Sequence, residues 1–160
     1  MKTFRQFMQL AYVTNDFNRA LKQFADRHGV TRFLEMRNEP APTLAGRFAQ
    51  LHVGLAWASE TTQVELIAPL SGDDAIYRSA LRGDAFSVVM HRVGQQAASQ
   101  AEFDALREEE RTLGLAVVID TPAYFYVDTR ATLGHCIEHI NTPEHMSLER
   151  RAVRDSIPRN

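Results

Sequence analysis

The segment at residues 126–140 carries the most information about the fold, and it reads Tyr-Val-Asp-Thr-Arg-Ala-Thr-Leu-Gly-His-Cys-Ile-Glu-His-Ile. Its second part, Gly134 to Ile140, has the composition of a short strand and places Glu138 in an apolar run. An ionised carboxylate inside a buried strand is costly unless a cation or hydrogen-bond donors meet it. Glu138 is therefore the first candidate for a functional residue.

A second segment has the same character. It reads Val-Glu-Leu-Ile-Ala-Pro at residues 64–69, within a predicted strand from Gln63 to Pro69, and it places Glu65 among aliphatic neighbours. One such glutamate could lie on an exposed face by chance. Two of them, each near the end of a similarly built half-chain, indicate a duplicated unit that brings carboxylates to one shared site.

The order of predicted elements supports the duplication. The first half begins with a strand from Phe7 to Val13 and a helix that stops at His28-Gly29, and the second begins with a strand from Phe86 to Val93 and a helix from Gln95 to Leu113. Two or three strands follow each helix. The segment from Asn38 to Gly46, with two prolines and a glycine, is predicted to be a loop.

These elements predict a single domain over residues 1–160. Its parts are a first module at 1–70, a connector at 71–84, a second module at 85–141 and a C-terminal helical tail at 142–160.

The amino-acid composition disfavours several classes of function. At 160 residues, with 44% hydrophobic and 24% charged residues, the chain is typical of a soluble globular protein. A net charge of −2 disfavours nucleic acid and anionic membranes as partners, and apolar runs are too short to span a bilayer. The single cysteine, Cys136, cannot form an internal disulfide and is compatible with a cytoplasmic location.

Three segments in order resemble the vicinal oxygen chelate superfamily, which includes glyoxalase I, methylmalonyl-CoA epimerase, extradiol dioxygenases and bleomycin-resistance proteins. They are residues 9–16 (Gln-Leu-Ala-Tyr-Val-Thr-Asn-Asp), 64–69 and 126–140, and the last is similar to a glyoxalase-like subgroup. The resemblance covers roughly residues 7–140. It implies an α+β fold in which two βαβββ units form a cupped mixed sheet.

The resemblance also implies a divalent metal held by one residue from the first and one from the last strand of each unit. Carried over by position, the ligands fall on Gln9, Glu65 and Glu138. The remaining ligand, usually a histidine, aligns with Val88, which cannot coordinate a metal. His91 lies three residues further on, so a regular strand points it to the opposite face unless a β-bulge brings it round.

Loss of the imidazole favours Mn²⁺, Mg²⁺ or Ca²⁺ over Zn²⁺, with a metal-free site as the alternative. Glu65 and Glu138 are the predicted catalytic residues, which would move a proton next to a polarised substrate oxygen. His52, Met90 and Arg130 are the predicted substrate-binding residues, with Arg130 also a candidate for fixing the turn before the last strand. His52 is assigned to the cavity because its strand has an apolar face opposite it.

Two functions of different class follow from the resemblance. The first is a lyase or isomerase, similar to the epimerases, acting on a small oxygenated substrate. The second is a non-catalytic protein that binds and sequesters a small molecule, as bleomycin-resistance proteins do. A homodimer is the expected assembly, since such sheets often pair edge to edge.

Overall fold

The computed structural model describes residues 7–43, 46–145 and 148–160. Eight strands form one sheet in the order β2-β3-β4-β1-β5-β8-β7-β6. The strands are β1 (Phe7–Thr14), β2 (Leu34–Pro42), β3 (Phe48–Trp57), β4 (Gln63–Gly72), β5 (Val88–Gln96), β6 (Val117–Asp120), β7 (Tyr124–Val127) and β8 (Cys136–Ile140). The helices are α1 (Phe17–His28), α2 (Ala75–Arg78), α3 (Gln100–Thr112), α4 (Arg130–Leu133) and α5 (Leu148–Ser156).

The chain therefore contains two βαβββ units, β1-α1-β2-β3-β4 and β5-α3-β6-β7-β8. In each unit the first strand pairs in parallel with the last, and β1 and β5 pair antiparallel at the centre of the sheet. The predicted fold class is confirmed. Within the described residues, no helix is long and apolar enough to cross a membrane.

Successive residues of each strand point to opposite faces of the sheet, and the two faces pack against different parts of the protein. On the outer face, α1 buries Phe17, Ala20 and Phe24 against Val64 and Leu66 of β4. In the second unit, α3 does the same with a separate apolar cluster, which consists of Phe103, Leu106, Phe125 and Val127 with Ala97. Because both helices cover the outer face, the inner face of the curved sheet is left to form a cup.

Local signals explain where the two long helices begin. Asp16 caps α1, since its side chain accepts a hydrogen bond from the backbone N–H of Arg19 at 3.0 Å. Ser99 caps α3 in the same way, at 3.1 Å from the N–H of Glu102. The predicted helix from Gln95 is therefore wrong at its start, because β5 continues to Gln96 before the chain reaches the Ser99 cap.

The predicted loop from Asn38 to Gly46 is wrong up to Pro42, because β2 runs through that residue, and residues 44 and 45 lie outside the described part of the chain. β2 is an edge strand, where a proline's missing N–H removes no ladder bond from the interior of the sheet. Asn38, with φ of 60°, is skipped in the pairing with β3 and forms a bulge. An edge position and one bulge thus accommodate residues that otherwise indicate a loop.

Candidate functional site

Three buried charged residues form the floor of the cup. Arg92 of β5 donates from Nε to Oε2 of Glu138 at 2.9 Å and from Nη2 to Oε2 of Glu65. Arg92 and Glu138 are each 4% exposed and Glu65 is 8% exposed, so water compensates little of their charge. A single guanidinium therefore joins the carboxylates of the two units, and this floor carries a net charge of −1 from two carboxylates and one cation.

The position of Arg92 follows from the symmetry of the two central strands. Leu10 of β1 lies opposite Val93 of β5, in an antiparallel ladder. A two-fold rotation about this pair exchanges Gln9 with Arg92. Arg92 is thus the counterpart, in the second unit, of Gln9 in the first.

The parallel ladders extend the same symmetry to the two glutamates. Glu65 on β4 pairs with Ala11, two residues after Gln9, and Glu138 on β8 pairs with Gly94, two residues after Arg92. The four positions that the resemblance assigns to ligands are therefore held by Gln9, Glu65, Arg92 and Glu138.

The assignment of Val88 to the fourth position is wrong. Val88 lies at the start of β5, pairs with Thr14 and packs against the apolar cluster under α1. The pairing of β1 with β5 jumps from Arg92 to Met90, so His91 is the extra residue of a bulge. Alignment on Phe86 therefore places the ligand position four residues too early in the chain, and the bulge accounts for one of these residues.

The bulge places His91 beside the floor, in a fully buried position. Nε2 of His91 lies 3.3 Å from the carbonyl oxygen of Ile76, its ring stacks on Tyr77 with centroids 5.1 Å apart, and its Nδ1 lies 3.4 Å from Nη1 of Arg92. Burial and the neighbouring Arg92 cation lower the pKa of His91 to about 3. His91 is therefore neutral at physiological pH, with Nε2 as the donor and Nδ1 as the acceptor.

The guanidinium group of Arg92 also contacts an aromatic ring. The Arg92 guanidinium carbon lies 4.7 Å from the centroid of the Tyr126 ring, a cation–π contact. Burial raises the pKa of Tyr126 and of Tyr77, although the Arg92 charge opposes the shift in both. Burial alone would lower the pKa of Arg92, but Glu138 and Glu65 hold it well above its ordinary value.

A pair of amides completes the floor on the side of the first unit. Nε2 of Gln9 donates to Oε1 of Gln63 at 2.7 Å, and both side chains are buried. The position that corresponds to Gln63 in the second unit is Cys136, which pairs with Arg92 in the ladder. Burial raises the pKa of the Cys136 thiol, so the thiol is a poor nucleophile.

The cup above this floor has a volume of about 460 Å³, the size of a small-molecule site. Its walls are mainly apolar and come from both units, including Leu51, Val53 and Leu55 of β3, Ile67 of β4, Tyr124 of β7 and Ile140 of β8. Apolar walls over a charged floor suit a ligand with an apolar body and a polar end.

The segment after β8 closes one side of the cup. Val153 and Ile157 pack against the apolar cluster of the inner face. The backbone of Trp57 donates to the Pro158 carbonyl at 2.9 Å and accepts from Asn160 N–H at 3.1 Å. Glu149 and Arg154 of α5 also line the cavity, so the mouth carries both signs of charge.

The structure brings Gln9, Glu65 and Glu138 together in the cup but places the three predicted substrate-binding residues elsewhere. His52 lies on the outer face, where its ring stacks on Phe17 with centroids 3.6 Å apart and its Nε2 lies 3.2 Å from Glu35. The cavity assignment of His52 reversed the faces of β3, because the apolar face lines the cup and the outer face is covered by α1.

Met90 and Arg130 are also absent from the lining of the cup. Met90 lies before the bulge, opposite Tyr12 of β1, and is half-buried. Arg130 donates from Nη2 to Asp128 at 2.7 Å and from Nη1 to the Ser79 hydroxyl at 3.1 Å. These contacts agree with the interpretation in which Arg130 fixes the turn before β8.

Sequence reasoning missed Arg92, Gln63 and Tyr77. A usable signal existed for Arg92: two predicted buried glutamates require a cation, and Arg92 lies in an apolar strand of the second unit. A further buried glutamate lies outside the cup. Glu110 is buried and lies 3.4 Å from His139 under α3, on the outer face.

The floor does not fit the divalent metal that the resemblance implies. Metal ligands must offer lone pairs, and a protonated guanidinium offers none. The described parts of the chain hold no group of three or more histidine, cysteine, aspartate or glutamate side chains that could bind a metal ion. Arg92 meets the carboxylates of Glu65 and Glu138 where the resemblance calls for a metal.

Comparison with known proteins agrees with the fold. No family profile and no curated protein sequence matches this chain. Solved structures do match, among them the Mycobacterium tuberculosis methylmalonyl-CoA epimerase, with a TM-score of 0.53, 16% identity and coverage of 90% of this chain and 95% of that one. A variant of the Streptomyces coelicolor enzyme in complex with 2-nitronate-propionyl-CoA gives a TM-score of 0.60, 12% identity and coverage of 91% and 99%.

A hypothetical protein from Bacillus halodurans C-125 has a TM-score of 0.57 at 14% identity, with coverage of 91% of this chain and 99% of that one. At these identities the likeness establishes the fold alone, which this chain shares with the methylmalonyl-CoA epimerase structures. Function must be argued from the floor and the cup.

Proposed function

We propose that this protein is an epimerase-like isomerase or lyase that acts on a small oxygenated molecule bound in the cup. The observation that carries the proposal is the floor itself, where a guanidinium and the carboxylates of Glu65 and Glu138 converge beneath apolar walls. Buried charges of this kind are costly to keep, and they cluster at functional sites more often than in structural cores.

The floor supplies the parts that proton transfer next to a carbonyl group requires. Arg92 uses Nε and Nη2 on the two carboxylates, and its remaining N–H groups can donate to a carbonyl oxygen. When that oxygen engages Arg92, one carboxylate takes the proton from the adjacent carbon, and the electron pair moves onto the oxygen. The other carboxyl group must first take up a proton from solvent, and it then gives this proton to the opposite face of the carbon.

The symmetry of the floor suits this exchange. Glu65 and Glu138 come from the two units and approach Arg92 at different nitrogens, so a substrate bound to Arg92 can present one face to each. Net epimerisation leaves the total number of protons on the protein unchanged and exchanges the roles of the two glutamates.

The test is exchange of the proton next to the carbonyl group in D₂O, followed by mass spectrometry. Methylmalonyl-CoA is the first probe, because the fold is shared with its epimerases, and smaller 2-alkyl-3-oxo acids and 2-hydroxy ketones form the panel. We expect Glu65→Gln and Glu138→Gln each to lower the exchange rate by roughly 100-fold or more. Glu110→Gln, a buried glutamate outside the cup, is the matched control and should exchange at the wild-type rate.

Exchange that persists in the Glu65→Gln/Glu138→Gln double variant would refute the roles of the glutamates. Absence of exchange with every probe, in protein that binds the probe, would favour the second candidate.

The second candidate is a non-catalytic protein that sequesters a small molecule. The specific observation in its favour is that Arg92 already forms an ion pair with each carboxylate, so neither is a free base before a ligand enters. This function predicts saturable binding by isothermal titration calorimetry with no chemical change in the ligand.

The predicted homodimer and the cytoplasmic location stay predictions. Size-exclusion chromatography with light scattering tests the first of them directly.

A further inference from the structure

We infer that Arg92 is a resident replacement for the divalent cation of this fold, which makes the protein metal-independent, and that one substitution at this residue would restore a metal site. The inference concerns the cation of the floor and holds for either candidate function. Its basis is the position, the charge and the contacts of one side chain.

The position of Arg92 in the sheet is the first basis of the inference. The ladders place Arg92 where the two-fold symmetry of the central strands requires a partner for Gln9. Glu65 and Glu138 are related by the same symmetry. Arg92 therefore stands in the set of four positions that the resemblance assigns to metal ligands, in a place where a guanidinium cannot act as a ligand.

The positive charge of Arg92 is the second basis of the inference. A divalent cation between two carboxylates would leave the floor neutral, whereas Arg92 compensates one of the two negative charges and donates a hydrogen bond to each glutamate. The guanidinium also contacts the Tyr126 ring face, and Nη1 lies near Nδ1 of His91. The protein thus supplies the cation and the hydrogen bonds from its own chain.

Arg92 excludes a metal ion from the site between Glu65 and Glu138. A metal that approached Glu65 and Glu138 would have to displace a buried cation that is tethered to the strand between them. Arginine stays protonated at any pH at which the protein is folded, so deprotonation does not open the site. The predicted Mn²⁺, Mg²⁺ or Ca²⁺ would face charge repulsion as well as the loss of both ion pairs.

One substitution at Arg92 should create a metal site. Arg92→His replaces the guanidinium by an imidazole, and the floor then offers Gln9, Glu65, Glu138 and one histidine. That set combines oxygen ligands with an imidazole, and an imidazole favours Zn²⁺, Ni²⁺ and Co²⁺. No other residue of the floor has to change.

The experiment compares metal binding by four full-length proteins purified without chelators. They are the wild type, Arg92→His, Arg92→Lys, which keeps a cation, and Arg92→His/Glu138→Gln, which removes one proposed ligand. Metal content is measured by mass spectrometry, affinity for Zn²⁺ and Mn²⁺ by calorimetry, and coordination by the visible absorption of added Co²⁺.

We expect the wild type and Arg92→Lys to bind no metal and Arg92→His to bind one equivalent, with a visible Co²⁺ spectrum. The Arg92→His/Glu138→Gln variant should bind the metal roughly tenfold more weakly or worse. Metal should raise the Tm of Arg92→His by roughly 5 to 10 °C at about 100 times the dissociation constant and leave the wild-type Tm unchanged.

Stoichiometric binding of Zn²⁺ or Mn²⁺ by the wild type at Glu65 and Glu138 would overturn the inference. A folded Arg92→His protein that binds no metal would also overturn it. If Arg92→His does not fold, Arg92→Ala is refolded from urea with and without MnCl₂. Recovery of the folded protein with the metal supports the inference, and equal recovery in both conditions overturns it.

Discussion

Gly94 lies directly against the side chain of Gln9. A Cβ atom added at residue 94 would lie 2.9 Å from Cβ of Gln9 and 3.1 Å from Cδ1 of Ile140. Both distances are shorter than a normal carbon–carbon contact, so the floor can hold Gln9 in place only because residue 94 has no side chain.

Gly94→Ala should therefore lower the free energy of unfolding by about 1–3 kcal/mol through overpacking. It should also move Gln9 away from Gln63 and weaken their hydrogen bond. Urea denaturation measures the first effect. Because Ile140→Val removes the Cδ1 atom, the Gly94→Ala/Ile140→Val protein should lose less stability than the sum of the two single changes, and strict additivity would argue against this contact.

Removal of the floor cation should be strongly destabilising. Arg92→Met removes the cation that the buried carboxylates of Glu65 and Glu138 share, and the expected loss is about 3–5 kcal/mol in equilibrium urea unfolding at neutral pH. The Glu65→Gln/Arg92→Met/Glu138→Gln protein removes all three charges and should recover most of this loss. A triple variant as unstable as Arg92→Met would show that the ion pairs are not the cause.

His91 should make stability depend on pH. Its pKa is about 3 in the folded protein, below the ordinary value of 6.5. Between these two values the unfolded chain binds a proton at His91 and the folded protein does not, so stability falls as the pH decreases from 6.5 towards 3. The slope from this residue is at most about 1.4 kcal/mol per pH unit.

His91→Gln removes the titrating group and serves as the comparison. The stability advantage of the wild type over His91→Gln should shrink by roughly 2 kcal/mol between about pH 7.5 and about pH 5. Urea unfolding at both pH values measures it. A difference that is constant across this range would mean that His91 titrates normally in the folded protein.

The segment that closes the cup should contribute to stability through Ile157. This side chain is 7% exposed and packs in the apolar cluster of the inner face, so Ile157→Ala should cost about 2–4 kcal/mol in urea unfolding. Leu148→Ala at the start of α5 is the control, because Leu148 is 77% exposed and should change stability by less than about 0.5 kcal/mol. Equal effects of the two substitutions would mean that the segment does not dock as described.

The order of the predicted elements indicates the two units and a shared site for Glu65 and Glu138, and the resemblance adds Gln9 to that site. It does not predict Arg92 as the fourth position. The bulge at His91 shifts the alternation of β5 by one residue, and nothing in the local composition marks that shift.

The face of His52 could not be predicted either. Alternation separates His52 from Leu51 and Val53, but it does not say which face α1 covers and which face lines the cup. The extent of β2 was missed for a similar reason, since prolines end a central strand but are tolerated at the sheet edge. For His52 and for β2, the local sequence fits two structures equally well, and the tertiary arrangement determines which of them forms.

The central position of β1 has a consequence for the order of folding. Its two neighbours, β4 and β5, begin at Gln63 and Val88, so the two ladders of β1 join segments that are far apart in the chain. Hairpins such as β3–β4 and β6–β7, and helices α1 and α3, need only local closure and can form early. The guanidinium and the two carboxylates should therefore meet late, after the rate-limiting step, and substitutions in the floor should act mainly on the unfolding rate.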